Sequence, residues 1–491
     1  MIDTKALRNK ILDLAIQGKL TEQLPEDGTA EELLQEFIIR KKEIEDSGVL
    51  KGKKKKNILP LDDAEFPFEI PSNWSWVRLD SIAEVFGRIG FRGYTKDDIV
   101  NQGHGAISLS PSNITKDGEI VYDKCTYISW EKYIESPEIM VYEEDVIIVK
   151  TGSSYGKCAV VQSLPEKATI NPQLAILKHV LCNRYYLHFV LISSMANKQY
   201  QDFVIGAATP TFSQEDLANL LLPLPPLSEQ ERIVEKIEQV FSVLDTIDAL
   251  QARYADNRKA LKSKLIDAAI QGKLTDQLPE DGTAEELFQQ IQAKKQKLIN
   301  AGKIKKEKQL PEITSAEIPF EIPANWKWVR VNDIGSWSAG ATPLRGNRNY
   351  YQNGTIPWIK TGELKDGYIN KAEEYITEDA LNECSVRLNP VGSVLIAMYG
   401  ATIGKVGILE IEATTNQACC ACIPIYIDNK YLFYFLKSNK KRFLEASHGG
   451  AQPNISKEII IKSAMPLPPL AEQKRIVDRL GKLLAVCSES K

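Results

Sequence analysis

One stretch of this chain occurs twice, and the repeat predicts how the chain is organised. Residues 15–33 read AIQGKLTEQLPEDGTAEEL and residues 269–287 read AIQGKLTDQLPEDGTAEEL, differing only between Glu22 and Asp276. Two further pairs of blocks recur in step: FPFEIPSNWSWVRL from Phe66 with IPFEIPANWKWVRV from Ile318, and PLPPLSEQERIV from Pro223 with PLPPLAEQKRIV from Pro466. Between these blocks the two halves differ widely, so the sequence predicts two similar domains held in matching frames.

A long helix is predicted between the two halves. Residues 228–271 contain neither Pro nor Gly, and their apolar residues recur in steps of four and three, the period of a coiled coil. The predicted seam comprises Ile233, Ile237, Val240, Leu244, Ile247, Tyr254, Leu261, Leu265 and Ala268. We expect this helix, about residues 227–272, to bury Leu244, Leu261 and Leu265.

Both ends of the chain repeat parts of that helix. Residues 476–487 match its first half and residues 7–14 match its second half, so the repeat is circular and the central helix should lie antiparallel to both terminal helices. The predicted fold is mixed α/β, with two globular domains in pseudo-twofold tandem repeat, separated by long antiparallel coiled-coil helices. The predicted segments are an N-terminal helix (1–19), a first domain (20–226), the central helix (227–273), a second domain (274–469) and a C-terminal helix (470–491).

Composition and charge limit the possible functions. The 491 residues suffice for two substantial cores, and 61 Lys and Arg against 65 Asp and Glu give a net charge of −4. This balance argues against a nucleic-acid binder, although Lys is concentrated in residues 51–56 and 294–308, which we interpret as solvated loops. No apolar run has transmembrane length and no signal peptide precedes the amphipathic start, which predicts a cytoplasmic protein.

Catalytic and metal-binding patterns are not evident in the sequence. Cys419, Cys420 and Cys422 lie in the apolar run ACCACIPIYI, which predicts a buried strand rather than a metal site. The four histidines do not recur between the halves, and Asn171-Pro172-Gln173 resembles an amino-methyltransferase motif only superficially. We therefore expect a non-catalytic chain without a metal or a cofactor of its own.

Each half contains a strand, a Gly-rich turn and a second strand. The turns, Gly152 to Lys157 and Gly400 to Lys405, share the pattern Gly-x-x-x-Gly-Lys. A phosphate-binding P-loop needs one more residue, a Ser or Thr after the Lys and a following helix, so we reject an ATP site. Two interpretations stay open: contact with DNA phosphates, or a tight hairpin that needs Gly for its backbone conformation. The candidate contacts in these turns are Ser153, Tyr155, Lys157, Tyr399, Thr402 and Lys405.

Turn-rich loops in both halves carry side chains that suit base edges and phosphates. In the first half these are Arg88, Arg92 and Tyr94; in the second they are Thr342, Arg345, Asn347, Arg348, Tyr350, Lys360 and Thr361. Ordinary surface loops contain the same residue types, so DNA contact by these residues is a hypothesis. The pairs Trp74/Trp76 and Trp326/Trp328 recur in the frames, where aromatic residues predict core anchors.

Several of these blocks together carry a resemblance to a known family. They are PLPPLSEQERIV and PLPPLAEQKRIV leading into coiled-coil helices, AIQGKLT after the helix, GATPLRGN with IPWIKTGEL, the Gly-x-x-x-Gly-Lys hairpins, and GGAQPNIS from Gly449. Over essentially its whole length the chain resembles a specificity subunit of a type I restriction–modification system. One departure is that residues 207–212 read AATPTF where residues 450–455 read GAQPNI, so a DNA contact assigned to Gln452 is not carried to the first half.

The resemblance implies a non-catalytic DNA-recognition subunit of a multi-subunit restriction endonuclease and adenine methyltransferase. Each variable domain would be a target-recognition domain for one half of a bipartite double-stranded DNA sequence, and the paired helices would act as a ruler. The repeated blocks would dock two methyltransferase subunits, and restriction subunits would join them. S-adenosylmethionine, ATP and magnesium are expected on those partners. The candidate docking residues, which recur beside the helix starts, are Glu229, Arg232, Glu472 and Arg475.

Two other functions stay open at this point. A self-contained DNA methyltransferase or nuclease with an unrecognised active site would bind a methyl donor as a purified chain. A protein scaffold unrelated to DNA would give an assembled complex that selects no DNA sequence.

Overall fold

The computed structural model describes residues 1–46, 57–62, 64–88, 93–206, 209–400, 402–446 and 454–488. The chain divides into two compact units, unit 1 (Met1–Ala252) and unit 2 (Arg253–Lys491). Each unit combines helices with sheets that contain antiparallel and parallel strand pairs. This confirms the predicted mixed α/β class.

Unit 1 contains seven α-helices and eleven strands among its described residues, and the long helix α8 (Leu227–Ile270) begins in it. The helices are α1 (Thr4–Ile16), α2 (Ala30–Asp46), α3 (Leu79–Ile82), α4 (Trp130–Ile134), α5 (Arg184–Leu191), α6 (Ser194–Phe203) and α7 (Gln214–Ala218). The strands are β1 (Ser75–Arg78), β2 (Glu84–Phe86), β3 (Ile99–Val100), β4 (Gly105–Leu109), β5 (Thr126–Ser129), β6 (Met140–Val141), β7 (Val146–Val149), β8 (Cys158–Val160), β9 (Ala168–Ile170), β10 (Leu174–Lys178) and β11 (Leu221–Leu224).

The described residues of unit 1 form three sheets. Strands β1 and β11 form an antiparallel pair, a second sheet has the order β2-β10-β7-β8, and a third has the order β3-β5-β4-β9-β6. The central strand β7 is buried along its four residues: Val146 and Ile148 pack among the helices, whereas Ile147 and Val149 pack against the third sheet. Because successive side chains of a strand point to opposite faces, a strand covered on both faces reads as a continuous apolar run.

Unit 2 repeats this plan. After α8 (Leu227–Ile270), its helices are α9 (Ala284–Asn300), α10 (Glu378–Glu383), α11 (Asn429–Ser438), α12 (Lys440–Glu445), α13 (Lys457–Lys462) and α14 (Leu470–Val486). Its strands are β12 (Lys327–Arg330), β13 (Gly335–Ala339), β14 (Ile356–Ile359), β15 (Gly367–Ile369), β16 (Glu374–Ile376), β17 (Val394–Ala397), β18 (Val406–Leu409), β19 (Thr414–Thr415), β20 (Cys419–Pro424) and β21 (Ala464–Leu467).

The sheets of unit 2 have the orders β12-β21, β13-β20-β17-β18-β15 and β16-β14-β19. Strand β20 lies beside β17, and Cys419, Cys420 and Cys422 on it are fully buried. The predicted buried strand is therefore confirmed. Burial raises the pKa of the Cys420 thiol to about 12, so this sulfur is held as an inert thiol in the core.

The repeated AIQGK sequence ends a helix in both units. In unit 1 the N–H of Gly18 donates to the carbonyl of Ala15 at 3.1 Å and the N–H of Lys19 donates to that of Leu14 at 2.9 Å, a C-terminal cap that requires the left-handed φ of +67° at Gly18. A Cβ atom on this glycine would lie 2.3 Å from Cγ of Pro71. Gly272 has the same conformation at the end of α8, which ends there as predicted.

Within unit 1, α1 lies antiparallel to the first part of α8. The hydroxyl of Thr4 donates to Asp248 at 2.6 Å, and one turn later Nη2 of Arg8 donates to Asp245 at 2.6 Å. Within unit 2, Nζ of Lys262 donates to the hydroxyl of Ser488 at 2.8 Å, and the last turns of α8 share a core with α14. The predicted antiparallel pairing of α8 with both terminal helices is confirmed inside each unit.

The predicted seam of α8 is correct only towards its ends. Leu244 is buried, as expected, whereas Leu265 is half-buried. Leu261 is 47% exposed, so its predicted burial is wrong, and Tyr254 of the predicted seam is 51% exposed. The physical reason is that the contacts with α1 extend to Gln251, where Nε2 donates to the carbonyl of Ile2 at 3.1 Å, whereas those with α14 begin near Lys262.

Among the described residues, none of the helices combines the length and the apolar character that crossing a membrane requires.

Candidate functional site

Each unit is held together by a frame, defined as residues 15–33, 66–79 and 223–234 in unit 1 and residues 269–287, 318–331 and 466–477 in unit 2. In unit 1 the frame closes on Glu229, whose carboxylate accepts hydrogen bonds from Nε1 of Trp74 at 2.8 Å, Nε2 of Gln23 at 2.8 Å and the hydroxyl of Thr21 at 3.1 Å. Glu229 is fully buried. A buried carboxylate is tolerated because its oxygens are satisfied by these donors.

The frame of unit 2 reproduces this arrangement. Glu472 accepts from Nε1 of Trp326 at 2.8 Å, from Nε2 of Gln277 at 2.9 Å and from the hydroxyl of Thr275 at 3.1 Å, and it is also fully buried. The predicted Trp anchors of the core are thus confirmed for Trp326 and for Trp74 of unit 1, which are both buried. Their hydrogen bonds to the glutamates were not predicted.

A second polar contact recurs one helical turn later. Arg232 donates to both carboxylate oxygens of Asp27, at 2.7 and 2.5 Å, and Arg475 donates to both oxygens of Asp281, at 2.5 Å each. The hydrogen bond from the arginine lowers the pKa of each aspartate, and the aspartate in turn raises the pKa of each arginine. A bidentate pair of this kind fixes both the distance and the relative orientation of the two side chains.

All four candidate docking residues therefore make contacts inside their own units. Glu229 and Glu472 have no exposed surface, whereas Arg232 and Arg475 are half-buried. Their contact with a partner stays a prediction. Charge reversal of either glutamate would disturb the fold, because each carboxylate is buried and hydrogen-bonded inside its own unit.

In unit 1 the loop candidates for DNA contact divide into three groups. Arg88 is buried, with Nε donating to the carbonyl of Ile170 and Nη2 to the hydroxyl of Thr169, both at 3.1 Å, and burial lowers its pKa. Its expected role as a base reader is corrected to a role in the core. Tyr94 accepts a hydrogen bond from Ser108 at 3.1 Å. Arg92 lies outside the described residues, as does Gln452 of unit 2.

The Gly-x-x-x-Gly-Lys sequence of unit 1 forms a turn between antiparallel β7 and β8, so the predicted strand–turn–strand is confirmed. Ser153 is exposed, whereas Tyr155 packs edge-on against Phe212. Nζ of Lys157 donates to the carbonyl of Ile114 at 3.2 Å. Contact of this turn with phosphates stays a prediction, with Ser153 the most accessible of the three candidates.

The corresponding turn of unit 2 joins β17 to β18. Tyr399 and Thr402 are half-buried, and Nζ of Lys405 lies 3.0 Å from the carboxylate of Asp366. Although burial opposes ionisation of Asp366, the hydrogen bond from Lys405, the backbone N–H of Val406 and the charge of Lys437 lower its pKa. Only the N–H groups of Lys405 that this carboxylate does not occupy are available for a phosphate.

Arg345 lies at the centre of a charged cluster in unit 2. Its Nη1 donates to Glu374 at 2.6 Å, and its guanidinium carbon lies 4.9 Å from the ring centre of Tyr351 and 4.7 Å from that of Trp358. Nζ of Lys360 donates to the other carboxylate oxygen of Glu374 at 2.7 Å. These two hydrogen bonds, Lys360 first, lower the pKa of Glu374, and the pKa of Lys360 is raised by the same contact.

The other candidates of unit 2 surround this cluster. Thr342 donates to Gln417, Asn347 accepts from the backbone N–H of Asn349 at 3.1 Å, and the hydroxyl of Tyr350 donates to Glu383 at 3.0 Å. Arg348 is exposed and Thr361 is half-buried. The structure thus gathers the candidates on the loops around β14 and β16. Glu374 and Asp366 were not predicted from the sequence. Their only signal in the sequence is that they are acidic residues that follow the basic candidates closely along the chain.

Comparison with known proteins agrees with the repeated architecture. A family described as "Type I restriction modification DNA specificity domain" matches residues 71–253 and 323–491. The type I restriction enzyme EcoAI specificity subunit of Escherichia coli is 27% identical, with 99% of this chain and 90% of that protein covered. The EcoEI specificity subunit of Escherichia coli is 25% identical, with the same coverage of 99% and 90%.

Solved structures with the same fold include the HsdS subunit from Thermoanaerobacter tengcongensis, with a TM-score of 0.50, 19% identity and coverage of 86% of this chain and 93% of that chain. A chain from a study of complex assembly and conformational transition of the type I R-M system reaches a TM-score of 0.57 at 19% identity, with the same coverage of 86% and 93%. At this identity the two structures show the fold alone. Because the family match covers both variable regions and most of the chain, the chain belongs to the family of type I restriction–modification DNA specificity domains, which it contains twice.

Proposed function

We propose that this chain is the DNA-specificity subunit of a type I restriction–modification complex. The variable sheets and loops of each unit read one half of a bipartite sequence in double-stranded DNA. The frames dock methyltransferase subunits, two in number, and restriction subunits join through them. The chain performs no catalysis itself, and the complex acts in the cytoplasm.

The observation that carries this proposal is one frame built twice around two variable regions that differ from each other. The bonds of Trp74 to Glu229 and of Trp326 to Glu472 are both 2.8 Å long. By contrast, Arg88 is buried in unit 1 whereas Arg345 is half exposed in unit 2. A repeated surface suits two copies of one partner, and divergent loops suit two different half-sites because base edges, unlike phosphates, carry the sequence information.

Division of labour among subunits also fits the charge of the chain. S-adenosylmethionine, ATP and magnesium act on the partner subunits, which supply base flipping and methyl transfer. Those partners also supply positive charge for the phosphates, so a net charge of −4 on this chain is compatible with DNA binding.

The experiment that tests the proposal is methylation mapping across the genome in cells that contain the methyltransferase partner, with and without this gene. A bipartite methylated sequence should disappear with the gene. Replacing residues 66–222 by the corresponding region of a relative should then change one half of that sequence and leave the other half unchanged. Replacing residues 318–465 provides the matched control, in which only the other half changes.

Three results would contradict the proposal. A methylated sequence that survives deletion of the gene would show that the chain has no part in selecting it. Binding of S-adenosylmethionine by the purified chain would favour a self-contained methyltransferase. An assembled complex without DNA sequence preference would favour a protein scaffold.

A further inference from the structure

The cluster around Arg345 is more constrained than an ordinary surface ion pair. The rings of Tyr351 and Trp358 meet at 75° with their centres 6.3 Å apart, and the guanidinium lies within 5 Å of both, at 4.9 and 4.7 Å. Contacts of a guanidinium with aromatic faces are favourable. With the carboxylate of Glu374 on Nη1 as well, three groups restrict the rotamers of one long side chain.

The sheet itself positions this set. Strands β14 and β16 are antiparallel neighbours, and Trp358 lies directly opposite Glu374 in their register. Residues opposite each other in such a pair point to the same face. The ring of Trp358 and the carboxylate of Glu374 therefore lie on the same face of the sheet. Nζ of Lys360, two residues after Trp358, donates to the second carboxylate oxygen of Glu374 at 2.7 Å.

Part of the guanidinium is still available. Within the part of the chain that the structure describes, Arg345 donates one hydrogen bond, from Nη1 to Glu374, so its Nη2 and Nε have no acceptor there. The side chain is 52% exposed. A planar fork with unused N–H donors suits an acceptor group that offers two lone-pair atoms side by side, such as a phosphate or the O6 and N7 atoms of guanine.

Charge decides between these two acceptors. Glu373 and Glu374 lie together near Lys360, at 3.8 and 2.7 Å from its Nζ. A phosphate would bring a further negative charge close to two carboxylates, which like-charge repulsion opposes. The major-groove edge of guanine is neutral and avoids this repulsion.

We propose that Glu374 is a positioning residue. Together with the rings of Tyr351 and Trp358, it holds Arg345 in the orientation that binds O6 and N7 of one guanine. This inference rests on the proposed function of unit 2 as a DNA-reading domain. Because the side chain is already ordered, less conformational entropy is lost when the base binds. Glu374 itself does not contact DNA; it acts through Arg345.

The test uses the assembled complex with its methyltransferase partner and a set of DNA duplexes in which each base pair of the unit 2 half-site is changed singly. Arg345→Ala should reduce discrimination at one G·C pair by about tenfold or more. Glu374→Ala should reduce discrimination at that same pair and at no other. The double variant should behave like Arg345→Ala, since residues that act as one unit are not additive.

Two further variants separate positioning from a loss of structure. Glu374→Gln keeps the size and one oxygen acceptor, so it should retain more discrimination than Glu374→Ala, and it replaces that variant if the alanine protein unfolds. Glu458→Gln is the matched control, because Glu458 pairs with Lys462 at the same 2.6 Å on helix α13, outside the frame and outside the loops around β14 and β16. The control should leave discrimination unchanged.

Specific results would overturn the inference. If Arg345→Ala weakened binding to all duplexes alike and lowered the salt dependence, Arg345 would contact a phosphate. If Glu374→Ala left discrimination at the affected pair unchanged, or lowered it equally at every pair, Glu374 would not position Arg345. A wild-type complex that prefers no duplex would instead refute the proposed function, so the two failures are distinguishable.

Discussion

Truncation of the buried carboxylate in a frame should weaken one unit severely. Glu472→Ala removes the acceptor from three donors, Trp326 at 2.8 Å, Gln277 at 2.9 Å and Thr275 at 3.1 Å. A hydrogen bond to a charged group contributes about 1.5–3 kcal/mol, and a buried donor left without a partner costs about 1–3 kcal/mol. Desolvation of the carboxylate offsets part of the loss. We therefore expect the free energy of unfolding of unit 2 to fall by about 2–4 kcal/mol.

Denaturant unfolding combined with amide hydrogen exchange would measure this effect unit by unit. Asp478→Ala is the matched control, because it removes an exposed carboxylate from the same helix, α14. Glu229→Ala should produce an equal loss confined to the amides of unit 1, since its three contacts have the same geometry. The reasoning is refuted if Glu472→Ala and Asp478→Ala differ by less than about 0.5 kcal/mol, the usual range of surface substitutions.

Three further predictions concern protons and salt. His188 of unit 1 occupies the place of Phe433 on α11, and burial lowers its pKa from 6.5 to about 4. The unfolded chain then binds a proton that the folded chain excludes, so unit 1 should lose stability as the pH falls from about 6.5 to about 4, by about 2 kcal/mol at pH 5. In unfolding experiments His188→Phe should abolish this loss. The hydrogen bond from Arg330 lowers the pKa of Glu317 from 4.5 to about 2, so its stabilising effect is present above about pH 4.5 and lost as the pH falls towards 2; Glu317→Gln should remove that acid dependence from the unfolding curve of unit 2. Lys405→Ala should weaken binding to all DNA sequences alike and reduce the salt slope by about one unit, whereas an unchanged slope in salt titrations would show that the turn is only a hairpin.

The frames could be predicted from the sequence because they depend on local rules. The sequence Thr-x-x-Glu at residues 29–32 and 283–286 is the local pattern of a capping box, and α2 and α9 begin with one. The N–H of Thr29 donates to Glu32 at 3.0 Å, and that of Thr283 donates to Glu286 at 2.9 Å. The end of α8 at a glycine and the mixed α/β class follow from similarly short patterns. Such signals lie within a few residues of the structure that they predict.

The errors concern contacts between distant parts of the chain. Heptad spacing on α8 correctly predicted burial of Leu244 but not the exposure of Leu261, because a periodic pattern does not show how far along the helix a partner extends. Arg88 was expected on a surface loop, yet it is buried against a carbonyl 82 residues away. The pairing of Arg345 with Glu374 likewise depends on the register of β14 and β16. No local rule provides these contacts.

The antiparallel strand pairs of the frames have an evolutionary consequence. Ser75 lies opposite Leu224 in the pair of β1 and β11, and Lys327 lies opposite Leu467 in the pair of β12 and β21. In each unit the chain therefore leaves the frame along one strand and returns along the strand that is hydrogen-bonded to it. The segments between the paired strands, residues 79–220 and residues 331–463, differ in length, whereas the pairing of the strands is the same in both units. Each such segment is in effect an insertion into a constant host, and insertions with adjacent ends disturb the host little. If the proposed function is correct, natural variation can therefore lengthen, shorten or exchange a DNA-reading region and still preserve the frame that docks a partner.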